Sequence, residues 1–365
     1  MNLEISTENK KKDPHVIINS PDFSALDALY AGRRPYRGDF HCHAATGGTS
    51  DGKTTLAEWR RAGAELGLDF AAVLDHRQVR HMYIEDYDPD FFMCGTEPAI
   101  SFSDMKIEKA SIHYLMFFRK PGDLAVLLDK FPDVYGFTGA AEGTEGHFEY
   151  RTTTRARFME IIAEVYRMGG FVTHPHPIDV MKSDNTLDYF FGDGVGFEVM
   201  YKAHERITNG DYRLWTELLD MGKKPVMTAT DDMHGVPAAI SLNTVYLTEC
   251  TNDTLLDAQL CGDLNGGKCG IRLCLGATVQ GGTCRAEEIG APLLFTASDL
   301  HKSVPEGHTY RLDILTDAGV AYSAVGAFPF AGAIQTKPDR LYYRIEIYDL
   351  TDERLFALSN PIYCR

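Results

Sequence analysis

Residues Gly38–Leu56 read GDFHCHAATGGTSDGKTTL. Two histidines, His41 and His43, stand one residue apart directly before a glycine-rich turn. On a strand, residues i and i+2 point to the same side, about 7 Å apart along the chain. The pair can therefore reach one metal ion together while Cys42 faces away. The competing reading is a histidine pair on a solvated strand. The motif alone does not separate the two, so the decision rests on what the rest of the chain brings to the same place.

Short apolar runs alternate with helical patterns from about Pro35 to Asn243. DFAAVLD (69–75), SIHYLMFF (111–118), GFVTH (170–174), VGFEVM (195–200) and KPVMTAT (224–230) read as buried strands, rich in β-formers or continuously apolar. Helices fall between them. Thr55 with Glu58 forms a capping-box pattern ahead of a helix that stops at Gly67. Phe158, Ile161, Ile162, Val165 and Met168 recur at helical spacing before a Gly pair, and Leu214, Leu218 and Met221 do so before Gly222. Repeated strand–helix alternation predicts a parallel α/β architecture. Closure into a barrel is compatible with the pattern but not read from it.

The texture changes after about Asn243. Thr254–Leu264 reads as one helix. Short alternating runs follow (PLLFTAS, TYRLDILTD, LYYRIEIYDL) between Gly-, Asp- and Pro-rich turns. That pattern predicts a small C-terminal antiparallel β-sandwich. The expected division is a polar N-terminal extension over 1–35, an α/β unit over 36–243 and a β-rich unit over 244–365. The glycine-containing stretch 131–154 has weak periodicity and reads either as a lid or as a surface excursion.

Of 365 residues, 36 are basic and 52 acidic, for a formal charge of −16. An acidic surface argues against a general nucleic-acid or membrane binder, so neither partner is expected. A phosphorylated substrate stays compatible, because bound cations reverse the local field. No run is long and apolar enough to span a bilayer, and the polar N-terminus lacks a signal-peptide core; a cytoplasmic location is the expectation. Four of the eight cysteines crowd between Cys261 and Cys284 without a CxxC pair, which favours reduced cysteines in a β-domain over a zinc ribbon.

The residues that carry chemistry collect at the ends of the predicted strands. His41 and His43 end the first. Asp75 and His76 end VLDH, Glu97 ends GTE, and His174 and His176 lie in THPH. Glu198 lies in FEV, and Asp231, Asp232 and His234 close TDDMH. His113 lies within its strand. In α/β barrels such ends form the active face. Imidazole and carboxylate together suit Zn, Mn or Fe. The number of donors exceeds the need of one ion, so two or three divalent ions are expected, with Glu97 able to bridge. Such ions lower the pKa of water from about 15.7 towards 7, which supplies a hydroxide nucleophile.

The ordered set DFHCH…SDG, VLDH, GTE, HYLMFF, THPHP, FEV and TDDMH resembles the PHP (polymerase and histidinol phosphatase) metallohydrolases, over about Tyr36 to Pro237. The tail resembles, more loosely, their two-domain carbaryl-hydrolase-like branch. The resemblance implies a distorted (β/α)7 barrel and metal-dependent hydrolysis of phosphate esters. It implies His41, His43, Glu97 and Asp232 as ligands of a first metal. Glu97, His113 and His174 would hold a second, and His76, His234 and Asp51 a third. His76 and His234 are alternatively proton-transfer groups. The turn before Asp51 is about three residues longer than the family's, so Asp51 reads equally as ligand or plain turn residue.

Asp75, Glu198 and Asp231 are expected to support the ligands rather than bind metal. Arg77 and Lys202 read as holders of an anionic substrate group or as surface cations. His176 reads as a cap or support, and His147 as a contact from the lid. The leading function is a phosphoesterase acting on a small phosphorylated metabolite. The alternatives are a carboxyl- or carbamate-ester hydrolase with the same site, and a non-catalytic metal- or carbohydrate-binding protein.

Overall fold

A computed structural model describes residues 10–105, 111–138, 147–201, 205–238, 240–300 and 302–365. It is a mixed α/β structure in which several sheets dominate and, among the described residues, seven α-helices pack on them.

The Arg34–Cys42 strand organises the fold. It runs parallel to Phe70–Val73 on one side and antiparallel to Asn243–Leu247 on the other. Its outer half is partly exposed and its inner half, Arg37 to Cys42, is fully buried. The helix between it and Phe70–Val73 covers Leu56–Glu65. The Thr55 hydroxyl accepts from Glu58 N, and the Glu58 carboxylate accepts from Thr55 N at 3.0 Å. Gly67 closes the helix at φ +70°, a conformation that costs glycine nothing. Trp59 is buried beneath and donates to His43 O at 3.0 Å, which ties this helix to the histidine strand.

A second sheet has the order Val226–Thr230, Gly196–Tyr201, Phe171–His174, Leu115–Phe117, Gly95–Thr96. The first three strands are parallel, as expected. Leu115–Phe117 is antiparallel to both of its neighbours, a departure from the all-parallel expectation. The chain folds back from Gly95–Thr96 through Ala99–Phe102 and Ile112–His113, so it re-enters the sheet reversed. A strand covered on both faces carries a continuous apolar run whichever way it points, so the sequence holds no sign of direction here. Isolated bridges Cys42↔Met233 and Ala71↔Phe92 join the edges of the two sheets.

Beyond Asn243 the sheet does not stop. Leu264–Gly267, Arg354–Ser359, Tyr342–Asp349, Tyr310–Thr316 and Gly319–Gly326 continue it, and Ile362–Tyr363 pairs with Tyr342–Asp349, so nine strands span position 243. A separate four-stranded antiparallel sheet holds Gly270–Leu275, Pro292–Ser298, Phe330–Gln335 and Thr278–Val279. Its inward residues (Ile271, Leu273, Phe295, Ile334) share one apolar cluster with Leu312, Ile314, Ile345 and Ile347 of the long sheet. The helix after Asn243 covers Asn252–Cys261, capped by Thr251, and Leu264 already belongs to the next strand. The N-terminal segment lies along this half: Asp13 pairs with Lys337 at 2.7 Å and Arg340 at 2.6 Å, and Ile17 bridges Ile334.

The described parts of the 131–154 stretch form a hairpin, Tyr135–Thr138 with His147–Tyr150, and residues 139–146 lie outside the described residues.

Candidate metal centre

Glu97 is the focus. Thr96 ends its strand, and the residue bridges His76. Its carboxylate, 1% exposed, faces four rings: His76 Nδ1 at 2.8 Å, His113 Nδ1 at 2.9 Å, His43 Nε2 at 3.3 Å and His41 Nε2 at 3.4 Å. Both Glu97 oxygens, His41 Nε2 and His76 Nδ1 are buried and make no aligned hydrogen bond despite these approaches. Native interiors rarely leave polar atoms so. Burial opposes ionisation of Glu97, but His113, His41 and His76 overturn that and hold its carboxyl well below the carboxylate range.

Asp232 completes the inner wall. It follows the Val226–Thr230 strand at φ +43°, outside the usual range for a non-glycine residue. Oδ1 lies 3.0 Å from His43 Nε2 and 3.4 Å from His41 Nε2. Oδ2 accepts from the Tyr201 hydroxyl at 2.5 Å. Burial raises the Asp232 carboxyl, and His41 and His43 bring it well below its ordinary value. His41 shows the converse: burial lowers it, and Asp232, Glu198 and Glu97 raise it well above. Three donor sets result, each with ligating atoms within 4.8 Å of one another: His41, His43, Asp232; His76, Glu97, His113; and His43, Asp51, His76, His234. Mixed imidazole and carboxylate sets of this kind fit Zn, Mn or Fe.

Asp51 reaches the site in spite of its long turn, with Oδ1 3.1 Å from His234 Nε2 and 3.4 Å from His76 Nε2. The turn is anchored from VLDHRQ. Asp75 accepts from Ala44 N at 3.0 Å, from the Ser50 hydroxyl at 3.0 Å and from the Thr46 hydroxyl. Gln78 accepts from Thr49 N at 3.0 Å and donates to Gly47 O at 3.0 Å. Gly47 and Gly48 have φ of +77° and +64°, and a Cβ on Gly48 would meet Gln78 Oε1 at 2.2 Å. Gly48→Ala is therefore expected to displace this turn. It should lower metal content by up to one ion per chain and destabilise the fold by about 1–3 kcal/mol, read by metal analysis and denaturant unfolding.

The supporting residues divide. Glu198 accepts from His176 N at 2.9 Å and lies 2.8 Å from His41 Nδ1, which fixes that ring. Asp75 serves the turn, and its approach to His43 Nδ1 is 4.0 Å. Asp231 accepts from Ile240 N at 2.9 Å and Ser241 N at 2.6 Å and so holds the following loop.

His174 is not brought to the cluster. It lies on the Val172 side of its strand, against Tyr114, Phe191 and Phe197, with Nδ1 3.4 Å from Tyr189 O. Burial there pulls its pKa to about 3. His176 arrives instead. Its backbone turns left-handed at φ +31°, and Nε2 lies 3.9 Å from Glu97 Oε1, with its ring stacked on His41. Period-2 alternation equates 174 with 176, but the strand ends at His174 and the turn re-aims the later ring.

Sequence reading missed Gln78 and Tyr201, whose roles appear only in the folded contacts. Tyr201→Phe removes the donor that occupies Asp232 Oδ2. A 10- to 100-fold weaker metal affinity is expected, on the order found for such supporting bonds, by chelator competition.

A cavity of about 340 Å³ opens beside the cluster, lined by Asp51, His76, Arg77, His113 and Tyr150 among others. Arg77, at φ +54°, donates its N–H to Glu97 O at 2.9 Å and forms no ion pair among the described residues. Tyr150 brings the hairpin of the 131–154 stretch to this cavity. Lys202 lies outside the described residues.

Several solved structures are similar to this chain. One is a two-domain protein from Bacteroides vulgatus ATCC 8482 containing a predicted PHP-like metal-dependent phosphoesterase. It is 11% identical at TM-score 0.42, over 96% of this chain and 99% of that one. The lesion-specific endonuclease Q from Pyrococcus furiosus is 14% identical at TM-score 0.40, over 62% and 56%. Endonuclease Q bound to a 27-mer duplex with an abasic lesion at its active site is 12% identical at TM-score 0.41, over the same shares. No protein-family model and no curated protein matches the chain. Endonuclease Q in that complex binds duplex DNA, and this corrects the expectation that nucleic acid is not a partner: net charge describes the whole surface and does not set the field inside a cleft. No helix among the described residues is long and apolar enough to cross a membrane.

Proposed function

We propose that this chain is a metal-dependent phosphoesterase. The observation that carries it is the buried Glu97 carboxylate faced by four histidine rings, with both oxygens lacking an aligned hydrogen bond. The proposal includes a distorted (β/α)7 barrel over residues 36–243, closed by the bridges at Cys42 and Ala71, and a C-terminal β-sandwich over 244–365.

His41, His43 and Asp232 would hold one divalent ion, His113 with Glu97 a second, and Asp51, His76 and His234 a third. His176 takes the place expected of His174. Bound there, such ions supply Lewis acidity and lower the pKa of water. Glu198 keeps the His41 ring oriented, and Tyr201 leaves only Asp232 Oδ1 for the ion-facing side. Arg77 offers a guanidinium to the non-bridging oxygens of a phosphate in the cavity, where bidentate pairing orients the group. His234, half-exposed at the mouth, is placed to carry a proton between leaving group and solvent. Ligands at physiological pH must be deprotonated, so metal affinity falls as pH drops.

A cavity of this size suits a small phosphorylated metabolite. The test is a panel run with Mn, Zn or Fe: aryl phosphate, bis-aryl phosphate, an abasic-site oligonucleotide, aryl acetate and aryl carbamate. Turnover of phosphate esters at least tenfold above the carboxyl esters is expected. Preference for acetate or carbamate, or bound metal without any turnover, would refute the proposal.

A further inference from the structure

Thr283 and Tyr363 face one another in a parallel bridge near the chain end. Tyr363 N donates to Gly282 O at 2.9 Å, and Cys284 N donates to Tyr363 O at 2.7 Å. One residue further along each segment stand Cys284 and Cys364. Paired backbones run about 4.8 Å apart, inside the roughly 4.4–6.8 Å Cα spacing that a disulfide spans. Both thiols sit in the apolar cluster shared by the two C-terminal sheets. All eight cysteines are free thiols, so this pair is reduced here.

We propose that Cys284 and Cys364 are a reversible disulfide site, oxidised by a low-molecular-weight disulfide. The Cys284 thiolate attacks one sulfur of the small disulfide. A mixed disulfide forms and one small thiol leaves. Cys364, deprotonated, then attacks the Cys284 sulfur and expels the second small thiol. Two electrons and two protons pass from the protein to the small disulfide, which ends as two thiols. Cys284 is the more exposed of the two, which makes it the attacking group. The cross-link pins a segment with work to do. Asn360 accepts from Met227 N at 2.7 Å, and the Tyr363 hydroxyl donates to Pro225 O at 3.3 Å, so the chain end braces the strand that leads to Asp232.

The test incubates the full metal-loaded protein with oxidised glutathione, with and without denaturant below the unfolding transition, because both thiols are largely buried. Free thiols are then counted after denaturation and linked peptides are mapped. Loss of two of the eight thiols, one linked peptide pair carrying Cys284 and Cys364, and full recovery with excess reduced glutathione are expected. Cys284→Ala and Cys364→Ala should each abolish the linked pair. Survival of all eight thiols in both conditions, or linkage through another cysteine such as the exposed Cys261, would overturn the assignment.

Discussion

Glu97→Gln is expected to release bound metal on desalting and to lower kcat by about 10³-fold or more, since metal-activated water is lost with the ions. The side chain keeps its shape but gives up its charge. Glu97 lies within 3.4 Å of His41, His43, His76 and His113, so a single change acts on every donor set that meets there. The substituted amide also turns one acceptor into a donor facing ring nitrogens. Metal analysis after gel filtration, alongside a phosphate-ester assay, reads both effects. A variant that keeps its metal and stays within tenfold in kcat would show that the carboxylate does not bridge. Asp51→Ala provides the contrast. Its side chain is 60% exposed and, among the described residues, pairs with His76 and His234, so part of the metal should leave and part should stay.

Arg344→Met is expected to cost about 3–5 kcal/mol in stability, because it strands a buried carboxylate. Arg344 is 1% exposed and pairs with Glu346 on the same strand, which is 3% exposed. Its guanidinium lies 4.6 Å over Trp215 and 5.4 Å over Tyr212, both on the Glu205–Asp220 helix. The Tyr212 hydroxyl donates to Glu346 and accepts from Lys10 at 2.5 Å. Burial works against the Glu346 charge, and Arg344 and Lys10 hold the carboxyl below its ordinary value. Removing Arg344 takes away the stronger of the two. The double variant Arg344→Met/Glu346→Leu should recover most of the loss, since a packed apolar pair of similar volume is often neutral. Denaturant unfolding decides. A single variant within about 1 kcal/mol of the parent would mean that Lys10 and Tyr212 suffice.

Much of the site is legible from residue type and position. His41, His43, Glu97, Asp232 and His234 stand at strand ends, and strand ends meet at one face of the fold. What fails is the assumption of a regular continuation. His174 and His176 look equivalent under period-2 alternation, yet only the second approaches Glu97, because the backbone changes hand after the strand. Asp231 and Asp232 are adjacent, yet one anchors the 240–241 loop and the other faces His41 and His43. Tyr201 and Gln78 have no signal at all, since their partners lie 31 and 29 residues away in the chain.

Fold shows the same division. Local signals place Leu56–Glu65 through its Thr55–Glu58 box and set the buried strands through apolar runs. The sequence by itself determined most of the parallel strands, the capped helices between them and which residue types gather at strand ends, because those follow from spacing and local hydrogen bonding. Only the tertiary structure decided that Leu115–Phe117 runs antiparallel, that the long sheet crosses Asn243, and that the turn from Ala44 to Asp51 reaches His76 and His234. Strand direction, sheet continuity and loop aim are settled by contacts between distant residues, and such contacts leave no periodic trace in the chain.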